Sequence, residues 1–199
     1  MEASASLIMS RQMAYTDNKK ECWFAPAGFG DSKGIINDAV SVNCNLTKAL
    51  RKELYELRVN PVVNFVGQGI VLYGNKTFKL VNAYEQESMY SQISVRRLVN
   101  YIRKLVVYIS IKTVFDPNDT ITWKNWENSV NPKLREIQDN RGIEAYKVVM
   151  DRTTISDEDI LNGRAPASIW VKPIGAIEYI PVNFVLTAES AIFEEGSEE

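Results

Sequence analysis

The sequence predicts an α+β domain: a mixed β-sheet covered by amphipathic helices, with an extended arm at the C-terminus. Three observations carry this expectation. Segments of helical spacing interleave with segments of strand spacing along the chain, the order expected of α+β or α/β layer domains. The longest helical segment repeats Val95, Leu98, Val99, Ile102, Leu105, Val106 and Ile109 in steps of three and four, which builds a wide apolar face. The clearest strand puts Ile180, Val182, Phe184 and Leu186 on one face by strict alternation.

Taken in order, residues 5–16 lack breakers and read as a helix, followed by the polar turn Asp17-Asn18-Lys19-Lys20. Pro26, Gly28, Gly30 and Gly34 mark a loop, and residues 35–43 read as a short strand. A helix over Leu46–Leu57 follows, with Leu46, Leu50, Leu54 and Leu57 on one stripe and Asn45 or Thr47 as the N-cap. It stops before Asn60-Pro61, because a proline disfavours helical backbone in the residue before it. After Gly67-Gln68-Gly69, residues Ile70–Tyr73 form a strand that turns at Gly74-Asn75, and residues 82–92 are a polar loop. The longest helix spans Ser94–Val114 and ends at Asp116-Pro117-Asn118-Asp119. A second long helix covers Trp123–Asp139, with a kink or break expected near Pro132. Ile143–Met150 is a strand. Ser156 caps a short helix through Leu161 that Gly163 closes, with Asp157, Glu158 and Asp159 at its positive end. Ala167–Ile174 and Ile177–Thr187 are the last strands, and Glu194–Glu199 is a solvated acidic tail.

At 199 residues, 45% hydrophobic and 24% charged, the chain has the composition of an ordinary globular domain. A formal net charge of -2 counts against a dedicated nucleic-acid or membrane-surface protein. Cys22 and Cys44 lie too far apart for a zinc spacing and read as inert thiols. The N-terminus has no signal-peptide pattern, and no apolar run reaches the ~18 residues of a membrane span. The sequons at Asn45, Asn75 and Asn118 are then chance matches in a soluble cytoplasmic product.

The chain contains no histidine. This removes Ser-His-Asp and Cys-His catalysis, histidine metal ligation and the usual near-neutral general base. Gly30-Asp31-Ser32-Lys33-Gly34 matches the G-x-S-x-G pattern of a hydrolase nucleophile elbow, but the motif needs a histidine base and a strand-to-helix turn. A serine hydrolase using Ser32 is the alternative of a different class, and a plain loop explains the segment better. The same loop lacks the phosphate-loop register. Asp157-Glu158-Asp159 lacks calcium-loop spacing and is explained by helix capping. No cofactor or metal site is expected.

Two features call for a partner. Between Glu87 and Asp116 there is no acidic residue, while Arg96, Arg97, Arg103 and Lys104 fall seven apart in pairs around Asn100, forming one basic face opposite the apolar stripe. A solvated helix side explains this too, as does a nucleic-acid module, which the acidic total disfavours. Beyond Leu186, Thr187-Ala188-Glu189-Ser190-Ala191-Ile192-Phe193 carries two large apolar residues that a mere frayed tail does not need. An extended segment of this kind can add to another subunit's sheet edge.

Several blocks, in order, resemble the contractile tail sheath proteins of tailed phages. They are Trp23-Phe24-Ala25-Pro26-Ala27-Gly28, Leu46-Thr47 with Leu54-Tyr55, Val59-Asn60-Pro61-Val62, Gly69 through Thr77, and Ile93-Ser94-Val95-Arg96-Arg97-Leu98. Val114 through Asp119 with Trp123, Asp151 through Thr154 leading to Gly163, and Tyr179 through Val185 complete the series. The resemblance covers the family's C-terminal part only, so the chain reads as a fragment that starts abruptly within a helix. It implies residues 1–186 as the conserved inner domain and 187–199 as a C-terminal arm and acidic tail. It implies a structural, non-enzymatic subunit stacked in six-membered rings around a tail tube, contracting to drive that tube through the host envelope. The partners implied are other sheath subunits, the tube protein, and baseplate and tail terminator proteins, with no nucleic acid. The place implied is the virion tail, assembled in the host cytoplasm. Arg96, Arg97, Asn100, Arg103 and Lys104 become candidates for the tube-facing surface, and Thr187, Ala188, Ile192 and Phe193 for the inter-subunit arm. The sheath of a related bacterial contractile injection system is the near alternative.

Overall fold

A computed structural model describes residues 3–30, 33–78 and 88–181. Five α-helices are present among them: α1 (Ala5–Lys19), α2 (Lys48–Glu56), α3 (Ile93–Ile111), α4 (Thr120–Asp139) and α5 (Asp157–Leu161). The strands are β1 (Val62–Phe65), β2 (Gly69–Leu72), β3 (Ile143–Val149) and β4 (Ser168–Pro173). The α+β class holds. The strands pair as two antiparallel two-stranded sheets, β1 with β2 and β3 with β4. Each pair is made of neighbours in sequence order, so no parallel crossover is needed.

The main core is built by α3 and α4 against the β3–β4 hairpin. Leu98 and Ile102 of α3 meet Trp123, Trp126, Val130, Leu134 and Ile137 of α4, with Ile143, Met150, Ile155 and Trp23 closing the cluster. Each buried indole finds an acceptor, as burial of a polar N–H demands. Trp23 Nε1 donates to the Asn140 carbonyl at 3.0 Å, Trp123 Nε1 to Asn118 Oδ1 at 2.7 Å and Trp126 Nε1 to Ser110 Oγ at 3.0 Å. Asp119 caps α4, accepting from the Thr122 N–H at 2.8 Å. Pro132 does not break that helix. It sits on the solvent side, while Val130 and Leu134 on the opposite face are fully buried and hold the turns on either side.

Helix α3 starts without a side-chain bond from its own N-cap residue, Gln92. Asn75 supplies the cap from a distant loop. Its carbonyl accepts from the Ile93 N–H at 2.8 Å, its Oδ1 accepts from the Ser94 N–H at 3.3 Å, and its Nδ2 donates to Ser94 Oγ at 3.0 Å. These bonds satisfy two of the orphan donors that any helix start leaves. Asn75 is thereby buried, which gives its sequon a structural role.

Four expectations change. The strand expected over 35–43 shrinks to a bridge between Ile35 and Val71, because the segment turns away and leaves Val40 in solvent. Strand β1 was not expected, since four residues between Pro61 and the Gly67/Gly69 turn carry too little periodicity to read. The first helix continues through Lys19, absorbing most of the expected turn, and begins inside the chain with a cap from the Ser4 side chain. Residues 177–181 are not in a strand; the rest of that expected strand, 182–187, lies outside the described residues.

Candidate assembly interface

The basic helix places its candidate residues unevenly. Arg96, Asn100, Arg103 and Lys104 are exposed along one side of α3. Arg97 is drawn away: it pairs with Asp17 of α1 and is half-buried, so it ties two helices together and leaves the shared face. Its Nη1 is buried without a hydrogen-bond partner among the described residues. The guanidinium of Arg96 lies over the Tyr90 ring, 5.5 Å from its centroid. Among the described residues Arg103 and Lys104 make no ion pair.

The same side continues past Lys104 with Val107, Tyr108 and Ile111, exposed by 52%, 65% and 65%. The outward stripe is therefore basic in its N-terminal half and apolar in its C-terminal half. The sequence holds this signal in the spacing of 100, 104, 107, 108 and 111, which continues the basic side at helical steps. It was missed because α3 is apolar on much of its circumference, and spacing alone does not say which apolar stripe meets the core. Beyond the helix, Phe115 has a positive φ of 76° and is fully exposed.

The candidate arm residues Thr187, Ala188, Ile192 and Phe193 lie outside the described residues, as does Ser32. Towards the arm the backbone is described as far as residue 181, and it is pinned to the N-terminal end of α3 at Ala176 and Glu178. Gln92 reads the backbone of Ala176 from both sides: Oε1 accepts from the Ala176 N–H at 2.9 Å, and Nε2 donates to its carbonyl at 3.3 Å. Nε2 also donates to Glu178 Oε1 at 3.2 Å. Glu178 Oε2 pairs with Lys76 Nζ at 2.8 Å, and the Lys76 side chain is only 8% exposed. Ile177 between these contacts, and Tyr179 and Ile180 past them, stand in solvent. Gln92 thus spends its amide on the strap, which is why α3 borrows its cap from Asn75.

The G-x-S-x-G segment is a packing loop in the part that is described. Gly34 takes the Leu72 N–H on its carbonyl at 2.8 Å, and a Cβ there would lie 2.3 Å from the Leu72 carbonyl oxygen. Glycine is required by that approach and not by catalysis. Asp159 completes a capping box with Ser156, whose hydroxyl and N–H hold its carboxyl below the usual range. Cys22 and Cys44 are free thiols, and burial pushes that of Cys22 up, away from the reactive thiolate. Among the described residues no three Cys, Asp or Glu side chains are grouped to hold a metal ion, and no helix is long and apolar enough to cross a membrane.

Comparison with known proteins places this geometry. Residues 85–187, about half of the chain, match the family described as Phage tail sheath C-terminal domain. The tail sheath protein of Vibrio phage KVP40 is 39% identical over 92% of this chain and 26% of its own length. That of Enterobacteria phage T4 is 32% identical, over 92% of this chain and 27% of its own. In fold, the chain resembles one in the contracted sheath complex of an extracellular contractile injection system, PVC. The TM-score is 0.79 at 21% identity, with 92% of this chain and 51% of that one covered. A chain of the anti-feeding prophage baseplate gives 0.79 at 22% identity over 90% and 49%. The chain spans about a quarter of the curated relatives' length and about half of these solved chains.

Proposed function

The chain belongs to the phage tail sheath C-terminal domain family, and from that premise we propose that it serves as the inner part of a contractile tail sheath subunit. The subunit polymerises with copies of itself in six-membered rings stacked around a tail tube, meets baseplate and tail terminator proteins at the ends, and contracts to drive the tube through the host envelope. Its work is mechanical and involves no catalysis, cofactor or nucleic acid. Its place is the virion tail, built in the host bacterial cytoplasm.

The observation that carries this reading is the open architecture of the described chain. Among the described residues sheet β3–β4 has two strands, packed against the α3–α4 core, so each of them is an edge strand with unpaired backbone groups on its outer side. An arm from a neighbouring copy, residues 187–193, would supply a further strand by edge addition. Contacts of this head-to-tail type do not close on themselves, so they propagate a helical polymer. Two discrete packings of such a polymer provide the bistability that a one-shot contraction uses. The outer side of α3, Arg96, Asn100, Arg103 and Lys104, is the surface we assign to the tube.

The test is electron microscopy of the full-length protein expressed with its tube protein, with and without residues 187–199. Loss of sheath polymers on deletion is the expected result, and sheaths of normal length after deletion overturn the arm. The likeness to the PVC and anti-feeding prophage chains favours a second reading, the sheath of a bacterial contractile injection system. The higher identity to phage proteins puts the phage reading first.

A further inference from the structure

The apolar half of the α3 stripe continues past the end of the helix. Val107, Tyr108 and Ile111 are followed by Val114 and Phe115, and all five side chains are more than half exposed. At about 100° per residue, Lys104, Val107, Tyr108 and Ile111 fall within about a third of the helix circumference. The buried Val95, Leu98 and Ile102 lie opposite them. Phe115 adds a second sign. Its φ of 76° is in the left-handed region, which glycine or asparagine usually occupies where a helix ends. A strained backbone here holds an aromatic ring wholly in solvent, at the edge of a contiguous apolar patch of the kind that marks a protein contact.

The charges around the patch name its occupant. The helical part, Val107 to Ile111, is centred on residue 109. Arg103 and Lys104 lie six and five positions before that centre, and Asp116 lies seven after it. None of the three makes an ion pair among the described residues. About a two-fold axis at residue 109, two α3 helices run antiparallel and apolar half meets apolar half. The bases of each copy then stand at the acid of the other, whereas a parallel pair sets base against base. Phe115 comes to the basic end of the facing helix, where a guanidinium can stack on its ring. Lys112 stays at the side of the stripe, its ammonium 4.6 Å from the centroid of its own Tyr108 ring. Two aromatic and three aliphatic side chains offer on the order of 600 Å² per copy, a little below the ~800 Å² per partner of a standard interface. Such a pair is weak and reversible.

We infer that the unassembled chain pairs with a second copy of itself through this face, α3 against α3 about a two-fold axis. The inference rests on the reading of this side of α3 as tube-facing only for its consequence: the pair covers Arg103 and Lys104 and must part before the face can meet a tube. A two-fold contact uses the same patch on both copies and closes on itself, so it cannot extend into a polymer. It keeps subunits apart from assembly until a tube competes for the face.

The experiment is sedimentation velocity of the 199-residue chain without tube protein, across roughly 5–500 µM, the span in which an interface of modest size dissociates. A monomer–dimer equilibrium is expected. Tyr108→Glu with Ile111→Glu should leave monomer at every concentration, with the thermal midpoint of the dilute chain unchanged, because both side chains stand in solvent. Arg103→Asp and Asp116→Arg should each weaken dimerisation by roughly tenfold, and the two combined should return it to within about threefold of the parent. A monomer throughout overturns the inference. So does a dimer that tolerates the Tyr108 and Ile111 changes, since another face then holds it. Failure of the combined charge exchange to restore pairing overturns the antiparallel register and the inference with it. None of these outcomes touches the tube assignment, which decoration of tubes tests by itself.

Discussion

At the scale of single residues, the polar side chains that matter here are caps and clamps. Asp119 shows the type. The Thr122 backbone N–H, and then its hydroxyl, hold the Asp119 carboxyl below its ordinary value of 3.8. The folded-state value therefore lies below that of the unfolded chain, so the ionised cap adds stability above about pH 4 and loses it as pH falls through the lowered value. Asp119→Asn keeps an acceptor oxygen but cannot titrate. Urea unfolding of that variant across roughly pH 2–7 should show a shallower acid-side decline than the parent chain. An unchanged decline would assign the acid sensitivity to other carboxylates, such as Asp159 in its capping box.

At the scale of elements, two helices that both carry apolar residues at helical spacing have opposite fates. Leu98 of α3 is fully buried, whereas Leu50 of α2 is 46% exposed and no residue of α2 is buried. Leu98→Ala should cost about 2–5 kcal/mol in urea unfolding, since it removes a core side chain and leaves a cavity. Leu50→Ala should stay within about 0.5 kcal/mol. Equal costs would mean that α2 is packed in the chain in solution. The comparison also shows how far the elements were legible. Long periodic segments gave α3 and α4, and strong turn residues gave β3, β4 and the capped α5. Short segments did not reveal themselves: β1 has four residues, and at 35–36 only a bridge to β2 survives, because strand pairing depends on an edge that the local sequence does not contain. The pairing of strands into two hairpins was illegible for the same reason.

For the whole molecule, the decisive fact is which side of α3 remains available once the other elements have packed. Neighbouring positions 96 and 97 look equivalent on a helical projection. Only the arrival of α1, bringing Asp17, turns Arg97 inward and leaves Arg96, Arg103 and Lys104 outside. The site was legible as a basic helix and illegible as a surface. Charge reversal at Arg96, Arg103 and Lys104 together should weaken co-assembly of the full-length protein with its tube, seen as fewer decorated tubes by electron microscopy. The same reversal at Arg97 should instead lower the thermal midpoint of the chain by breaking the α1–α3 tie. Undiminished decoration after the triple reversal would leave this face merely solvated.

The clamp at Ala176 and Glu178 has a mechanical consequence. A pull on the C-terminus travels first into Gln92 and Lys76, and only afterwards into β4. The hairpin is therefore shielded from being unzipped from its end, and the load is handed to the start of α3, which Asn75 anchors to the neighbouring loop. Tension from one molecule would enter the next layer of the body as shear across a few polar contacts, with the hydrophobic centre left unstrained.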